Sequence, residues 1–179
     1  EMRVPQVGGF VQHTKVGGIE NESLAVEEIV ADILERLTGE DDPVVLGPGS
    51  TVRAIKQALG MEPTLLGVDV WCAGEQIGRD VSGDWLGKNV CSSTLIISFT
   101  RVQGFLLGRG NQQFTPTFLR RVDKSRLWVV GTRSKLKSLA GRPLLLDTND
   151  DHLDATLTGM IEVIAGYEDR LWYRTDCRA

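Results

Sequence analysis

The 179 residues contain no Cys-x-x-Cys pair, and the three cysteines, Cys72, Cys91 and Cys177, stand far apart. That spacing excludes the common structural zinc sites and leaves no even disulfide framework, so a reducing, cytoplasmic setting is expected. Histidine is equally scarce. His13 and His152 are isolated and read as ordinary surface or satisfied side chains, and no metal site is expected. No apolar run approaches the ~20 residues of a membrane helix, and no secretory leader pattern opens the chain. Cationic excess is also missing. Twenty Lys and Arg stand against twenty-four Asp and Glu, a net charge of −4. A general nucleic-acid binder needs a basic surface to neutralise phosphates, so neither nucleic acid nor membrane is expected as a partner.

What is present suits one globular domain: 41% hydrophobic and 25% charged residues in a length that can bury a sizeable core. Residues 4–16 read as extended, with a bend at Gly8-Gly9. Such an exposed first strand favours pairing into a homo-oligomer. The chain opens Glu-Met-Arg-Val, which reads as part of a longer protein. Ser23 is placed as the cap of a helix, with Leu24, Ile29, Ile33 and Leu37 at helical spacing and Gly39 as its stop. Val44–Leu46 reads as a short buried strand, 51–59 as a helix stopped by Gly60, and 64–71 as a central parallel strand, which makes one βαβ unit. Residues 73–93 read as turns plus a short helix. Strands are expected near 94–100, 126–132 and 143–148, with helices at 115–122, 134–141 and 150–159 and a strand or hairpin over 160–174. The fold expected over residues 1–179 is a single three-layer α/β domain, its sheet mainly parallel with helices on both faces.

Three stretches carry candidate chemistry. In the first, Gly47-Pro48-Gly49-Ser50-Thr51 joins strand to helix. Small residues let the backbone approach an anion, and the helix start offers unpaired N–H groups and a partial positive charge. Ser50 and Thr51 add hydroxyls, and Arg53 lies one turn on. The same turn is also readable as a plain corner with Ser50 as N-cap. It is neither a Walker A loop nor a Rossmann fingerprint. The second stretch is Gly108-Arg109-Gly110-Asn111-Gln112-Gln113. Buried amides without partners are costly, so three in a row place this segment at the surface or at a site. Arg109 is suited to clamping a phosphate or carboxylate. The third set is carboxylates near strand ends: Asp69, inside an apolar strand and therefore needing a partner or a function, and Asp147, followed by Thr148. Asp80 is a weaker member, and Asp150 or Asp151 reads as a helix cap.

Taken together, "VVLGPGSTVRAIKQALG", "TLLGVDV", "QGFLLGRGNQQFTP", "GRPLLLDT" and "LDATLTGMIEVIAGY" resemble the C-terminal part of ATP-NAD kinase family proteins, the two-domain branch found beside AcoX-like proteins. The likeness runs from about Val4 to Tyr173, and "GRGNQQ" is its most specific element. The resemblance implies an enzyme that moves the ATP γ-phosphoryl to NAD, with ATP, NAD and a divalent metal in the full-length protein. It also implies an N-terminal kinase domain as partner, carrying a Gly-Gly-Asp-Gly-Thr motif that this chain lacks. This chain would then supply part of a nucleotide pocket and be inactive alone. The nucleotide-binding set so implied is Gly47, Gly49, Ser50, Thr51, Asp69, Gly108, Arg109, Gly110, Asn111, Gln112, Gln113, Asp147 and Thr148. "LGPGST" followed by a helix also resembles the phosphate loop of ribose-5-phosphate isomerase. On that reading the turn holds a sugar phosphate, and Asp69 or Asp80 with Asp147 moves protons. A third reading is a ligand-sensing or oligomerisation domain without catalysis.

Overall fold

The computed structural model describes residues 15–178. Its elements run α1 (Lys15–Arg36), β1 (Val44–Leu46), α2 (Ser50–Ala58), β2 (Asp69–Cys72), β3 (Glu75–Gly78), α3 (Gly83–Asn89), β4 (Thr94–Ile97), β5 (Phe105–Leu107) and α4 (Pro116–Leu119). A single 3-10 turn at Lys124–Arg126 precedes β6 (Leu127–Val130), α5 (Arg133–Lys137), β7 (Leu144–Leu146), α6 (Asp151–Leu157), β8 (Gly159–Gly166) and β9 (Asp169–Cys177). The expected strand over 4–14 lies outside the described residues, while Lys15 and Val16 open α1.

One sheet of nine strands, ordered β3-β2-β1-β4-β6-β8-β9-β7-β5, carries the fold. β1, β4, β6 and β8 run parallel to each other, as do β9, β7 and β5. The β8–β9 hairpin joins the two sets antiparallel. The sheet is therefore mainly parallel, as the sequence suggested. Three strands differ from that reading: β3 and β5 fall where no strand was expected, and β2 has another direction. β2 pairs antiparallel with β1, and β3 with β2, so β1-α2-β2 is no βαβ unit. Its apolar character comes from lying between β1 and β3 with Val68 and Val70 fully buried, a burial that either strand direction satisfies.

Side-chain alternation sorts the strands' residues between two layers. Val44 and Leu46 of β1, Ile96, Val130 and Ile164 face α1 and α2, meeting Ile29, Ile33, Leu37, Val52 and Ile55. Val45, Leu95, Ile97, Val129 and Val163 face the other way, into a core shared with Leu86 of α3, Phe118 of α4, Leu136 of α5 and Leu153 of α6. Leu106 and Leu107 of β5 belong to that second core too, although β5 is the far edge of the sheet. The sheet must therefore coil until β5 lies across the core from β1 and β4.

Two helix details depart from the sequence reading. α1 runs through Ser23 without being capped there, and Leu24 is 53% exposed, so the buried stripe starts at Ile29. Asp32, on the same helix, is buried. It accepts from Arg36 Nε at 2.9 Å and from the Glu168 N–H at 3.0 Å, tying α1 to the β8–β9 turn. Thr115, with Pro116 following, caps α4, and Asp150 caps α6 by accepting from the Leu153 N–H.

Asp69 has found its partner. Its carboxylate lies 2.8 Å from Lys56 Nζ, and both side chains are fully buried. Asp69 also accepts from the Thr64 N–H and hydroxyl and from the Asp80 N–H, at 2.8–2.9 Å. Lys56 donates further to the Thr64 and Gly67 carbonyls. Burial pushes the Asp69 carboxyl up, but the bonds from Lys56, Thr64 and Asp80 outweigh it and leave it below its usual range. Burial draws Lys56 down, and Asp69 restores only part of that. Asp69→Ala is expected to cost about 3–5 kcal/mol in urea denaturation, because Lys56 would be left buried and unpaired. Lys56→Met with Asp69→Ala should cost less than the two single losses added together.

Candidate functional site

The turn after β1 is shaped by two glycines with different jobs. A Cβ at Gly47 would lie 3.2 Å from Ile97 and 3.4 Å from the Phe114 ring, so Gly47 is a packing glycine, and its N–H is spent on the Ile96 carbonyl. Gly49 has φ +115, a conformation that side chains rarely adopt, and a Cβ there would meet open space. Gly49, not Ser50, is the N-cap of α2, and no side chain caps the helix. The first intrahelical bond runs from the Arg53 N–H to the Gly49 carbonyl at 2.9 Å. The N–H groups of Ser50, Thr51 and Val52 precede it, and they sit at the positive pole of the helix. The Gly49 N–H bonds the Leu65 carbonyl at 2.8 Å, which pins the turn to the loop held by Lys56 and Asp69.

A cleft of about 640 Å³ opens over this turn. Pro48, Gly49, Ser50 and Thr51 line one side, with Leu66 beyond them. Ile97, Ser98, Phe99, Thr100 and Arg101 enter from the end of β4, and Phe105, Arg109, Gly110 and Asn111 from β5 and its loop. Lys135 of α5 and Glu22 and Val26 of α1 complete it. Three cations, Arg101, Arg109 and Lys135, thus face one carboxylate, Glu22, in a chain whose net charge is negative. Such a concave cationic wall beside helix-start N–H groups carries charge complementary to an anion.

The loop after β5 is stiffened by its own residues. A Cβ at Gly108 would overlap the Asp147 carbonyl, and its φ is +104, so only glycine fits. Asn111 is buried and spends its amide locally, accepting from the Gly108 N–H and donating to the Leu106 carbonyl, both at 2.9 Å. It braces the loop that presents Arg109. The Arg109 guanidinium lies 4.9 Å over the Phe105 ring and 3.9 Å from the Asp147 carboxylate, leaving its fork half exposed toward the cleft.

Of the residues singled out from sequence, Gly49, Ser50, Thr51, Arg109, Gly110 and Asn111 line the cleft together. Gly47 and Gly108 lie behind it as close-packed glycines, and Asp69 is buried beneath α2. Asp147 pairs with Arg178 and Arg109. Thr148 donates its hydroxyl to Asp154 at 2.6 Å, steadying α6. Gln112 and Gln113 are not among the cleft's walls, nor is the exposed Arg53. Among the described residues no group of His, Cys, Asp and Glu could hold a metal ion.

Sequence reasoning missed Lys135, Ser98 and Arg101. Lys135 Nζ donates to Ser98 Oγ at 3.0 Å and sits 5.1 Å over the Phe99 ring. Burial, and then the nearby Arg101, draw its pKa down to about 8, against which Glu22 acts weakly. In the sequence, "RSKLKS" looks like a solvated helix face. The one available signal was its position just after β6 at a Thr132 cap.

Residues 40–175 match the family described as the ATP-NAD kinase C-terminal domain. The chain belongs to that family. No curated protein and no solved structure matches it. No helix among the described residues is long and apolar enough to cross a membrane.

The depressed Lys135 makes a signed prediction. Below about pH 8 both folded and unfolded chains hold the proton, and the folded state carries the full cost of a desolvated ammonium. Between that value and the ordinary 10.5 the unfolded chain binds more protons, so stability rises with pH. Lys135→Met should therefore be more stable than the parent at pH 7, by up to about 3 kcal/mol, with the gap closing as pH climbs past 8. Urea denaturation across pH 7–10 checks it.

Proposed function

We propose that this chain is the nucleotide-handling C-terminal domain of an NAD kinase-like enzyme, one that phosphorylates NAD at the expense of ATP. In this reading the cleft holds phosphate groups of one of those nucleotides. The start of α2 supplies N–H donors, and Arg101, Arg109 and Lys135 supply charge. The observation that carries it is the gathering of these three cations and the uncapped helix start around one cleft, in a chain of this family. Phosphoryl transfer asks mainly for positioning and charge neutralisation, and a wall of fixed cations provides both.

The catalytic aspartate and the divalent metal belong, in this proposal, to an N-terminal kinase domain. The metal would be held there and by the phosphates themselves, since the described residues here offer no cluster for it. The chain alone would then bind without turning over. The proposed setting is the cytoplasm, with copies associating as an oligomer. An isomerase of sugar phosphates needs a carboxylate free to move protons beside the ligand. Asp69 is locked to Lys56 and Asp147 to arginines, which favours the kinase-like reading.

Calorimetric titration of the chain with ATP and with NAD tests this. Micromolar to millimolar binding is expected, weakened about tenfold or more by Arg109→Ala, the loss of one charge-assisted bond. Phosphorylation of NAD should appear only when the N-terminal domain is supplied. Binding of neither nucleotide, or binding indifferent to Arg109→Ala, would remove the proposal's basis.

A further inference from the structure

The sheet face that α1 and α2 cover is covered only as far as β8. Val130 and Ile164 pack under those helices. Side chains alternate along a strand, so Trp128 of β6 and Glu162 of β8 share that face. Glu162 stands directly opposite Trp172 of β9, which puts Arg170 and Arg174 on the same side of β9. α1 stops at Arg36, whose guanidinium lies 5.3 Å over the Trp128 ring and 3.8 Å from the Glu162 carboxylate. Beyond it opens a groove of about 510 Å³, with Trp128, Met160 and Trp172 as apolar walls and Arg36, Lys124 and Glu162 as polar ones. Trp172 is 65% exposed and Met160 51%. The groove shares no lining residue with the cleft at Gly49.

Exposed tryptophan beside an apolar groove marks an interaction surface, and the charge around it selects the partner. Lys124, Arg170 and Arg174 are exposed, and no ion pair engages them among the described residues. Against them stand Glu162, which Arg36 offsets, and Asp176 near the end of β9. The face is therefore cationic in a chain whose net charge is −4. Arg170 and Arg174 lie about 13 Å apart along the strand, too far for one small anion to bridge. Both edges of β9 are paired, to β8 and to β7, so no backbone is left for an added strand. We propose that this face docks an extended acidic peptide segment of a partner protein. An aromatic or leucine side chain of the segment fills the groove between Trp128 and Trp172, over Glu162, and its carboxylates pair with Lys124, Arg170 and Arg174. A second copy packed face to face would set the same cation excess against itself. Residues 1–14 hold one acid, Glu1, beside Arg3, and lack the complementary charge. A nucleic-acid strand would meet Glu162 between the indoles, on a chain already anionic.

Nitrogen–proton NMR of the chain, titrated with the peptide Asp-Glu-Phe-Asp-Leu-Glu-Asp, tests the docking face. The indole N–H signals of Trp128 and Trp172, assigned through Trp128→Phe and Trp172→Phe, should shift, with a dissociation constant of about 10 μM to 1 mM. Trp172→Ala, a change at an exposed position, should weaken binding about tenfold. Arg170→Glu with Arg174→Glu should weaken it about tenfold or more, while Arg170→Lys with Arg174→Lys should keep most of it. The same peptide with lysine in place of every acid should not bind. Unmoved indole signals at millimolar peptide overturn the proposal, as does equal binding of the lysine peptide. Tighter binding of oligouridylate at the same indoles overturns it in favour of nucleic acid. A dimer in sedimentation that Trp172→Ala disperses overturns it in favour of a second copy. Loss of peptide binding when the N-terminal kinase domain is supplied overturns it in favour of a contact between domains. None of these outcomes bears on ATP or NAD in the cleft, which the calorimetric titration reads separately.

Discussion

The cleft depends on an ion pair that does not touch it. Lys56, in the last turn of α2, and Asp69, at the first position of β2, are both fully buried and 2.8 Å apart. Taking two charges out of water is expensive, and the pair persists because nearly every donor and acceptor on it is used. Their partners are the backbone of Thr64, Gly67 and Asp80. The loop between α2 and β2 is thus held at Thr64 and Gly67 by charge, with Met61 and Val68 buried toward its two ends and Leu65 and Leu66 exposed between them. The Leu65 carbonyl then receives the Gly49 N–H, and Gly49 sets the start of α2. Ion pair, loop and turn form one chain of hydrogen bonds whose last link lines the cleft.

The second constraint is topological. The loops after β1 and β4 lie at the carboxyl ends of parallel strands, where ligands collect in open α/β sheets. That edge alone would give half a site. The β8–β9 hairpin reverses the strand direction, and the sheet coils so that β5 and its glycine-braced loop return to the same cleft. Arg109 therefore faces a helix start that lies about sixty residues earlier in the sequence. Gly108, pressed against the Asp147 backbone, is what lets the β5 and β7 ends approach closely enough for this.

Much of this was legible from local pattern. β1, the glycine turn, the α4 start at Thr115-Pro116, the Asp150 cap and the closing hairpin all rest on short-range chemistry that a sequence displays. The direction of β2 did not, because an apolar run records burial and not whether the neighbour runs parallel. Ser50 looked like a cap because its side chain can cap. Gly49 took the position because its φ of +115 turns the chain there, which composition alone does not announce. Asp69 was legible as a residue in need of a partner, but Lys56 was not, since it lies on a helix whose charges look solvated. Lys135 was hidden for the same reason. Its environment comes from Ser98 and Phe99, just past the end of β4, and from Glu22, on a helix more than a hundred residues away.

Two lysines, Lys56 fully buried and Lys135 part-buried, show how the same side chain serves opposite ends. Lys56 has its full set of acceptors, including a carboxylate, so its burial holds the fold together. Lys135 has a hydroxyl and a ring face and no carboxylate in contact among the described side chains, so its partial desolvation works against the folded state. A protein just above its stability threshold keeps such a residue only where something other than stability requires it. An anionic ligand would restore at Lys135 what Asp69 provides at Lys56, and the folded state would be tightened by the same interaction that binds the ligand. The cost of holding Lys135 in place and the affinity it lends are then one free energy seen from two sides.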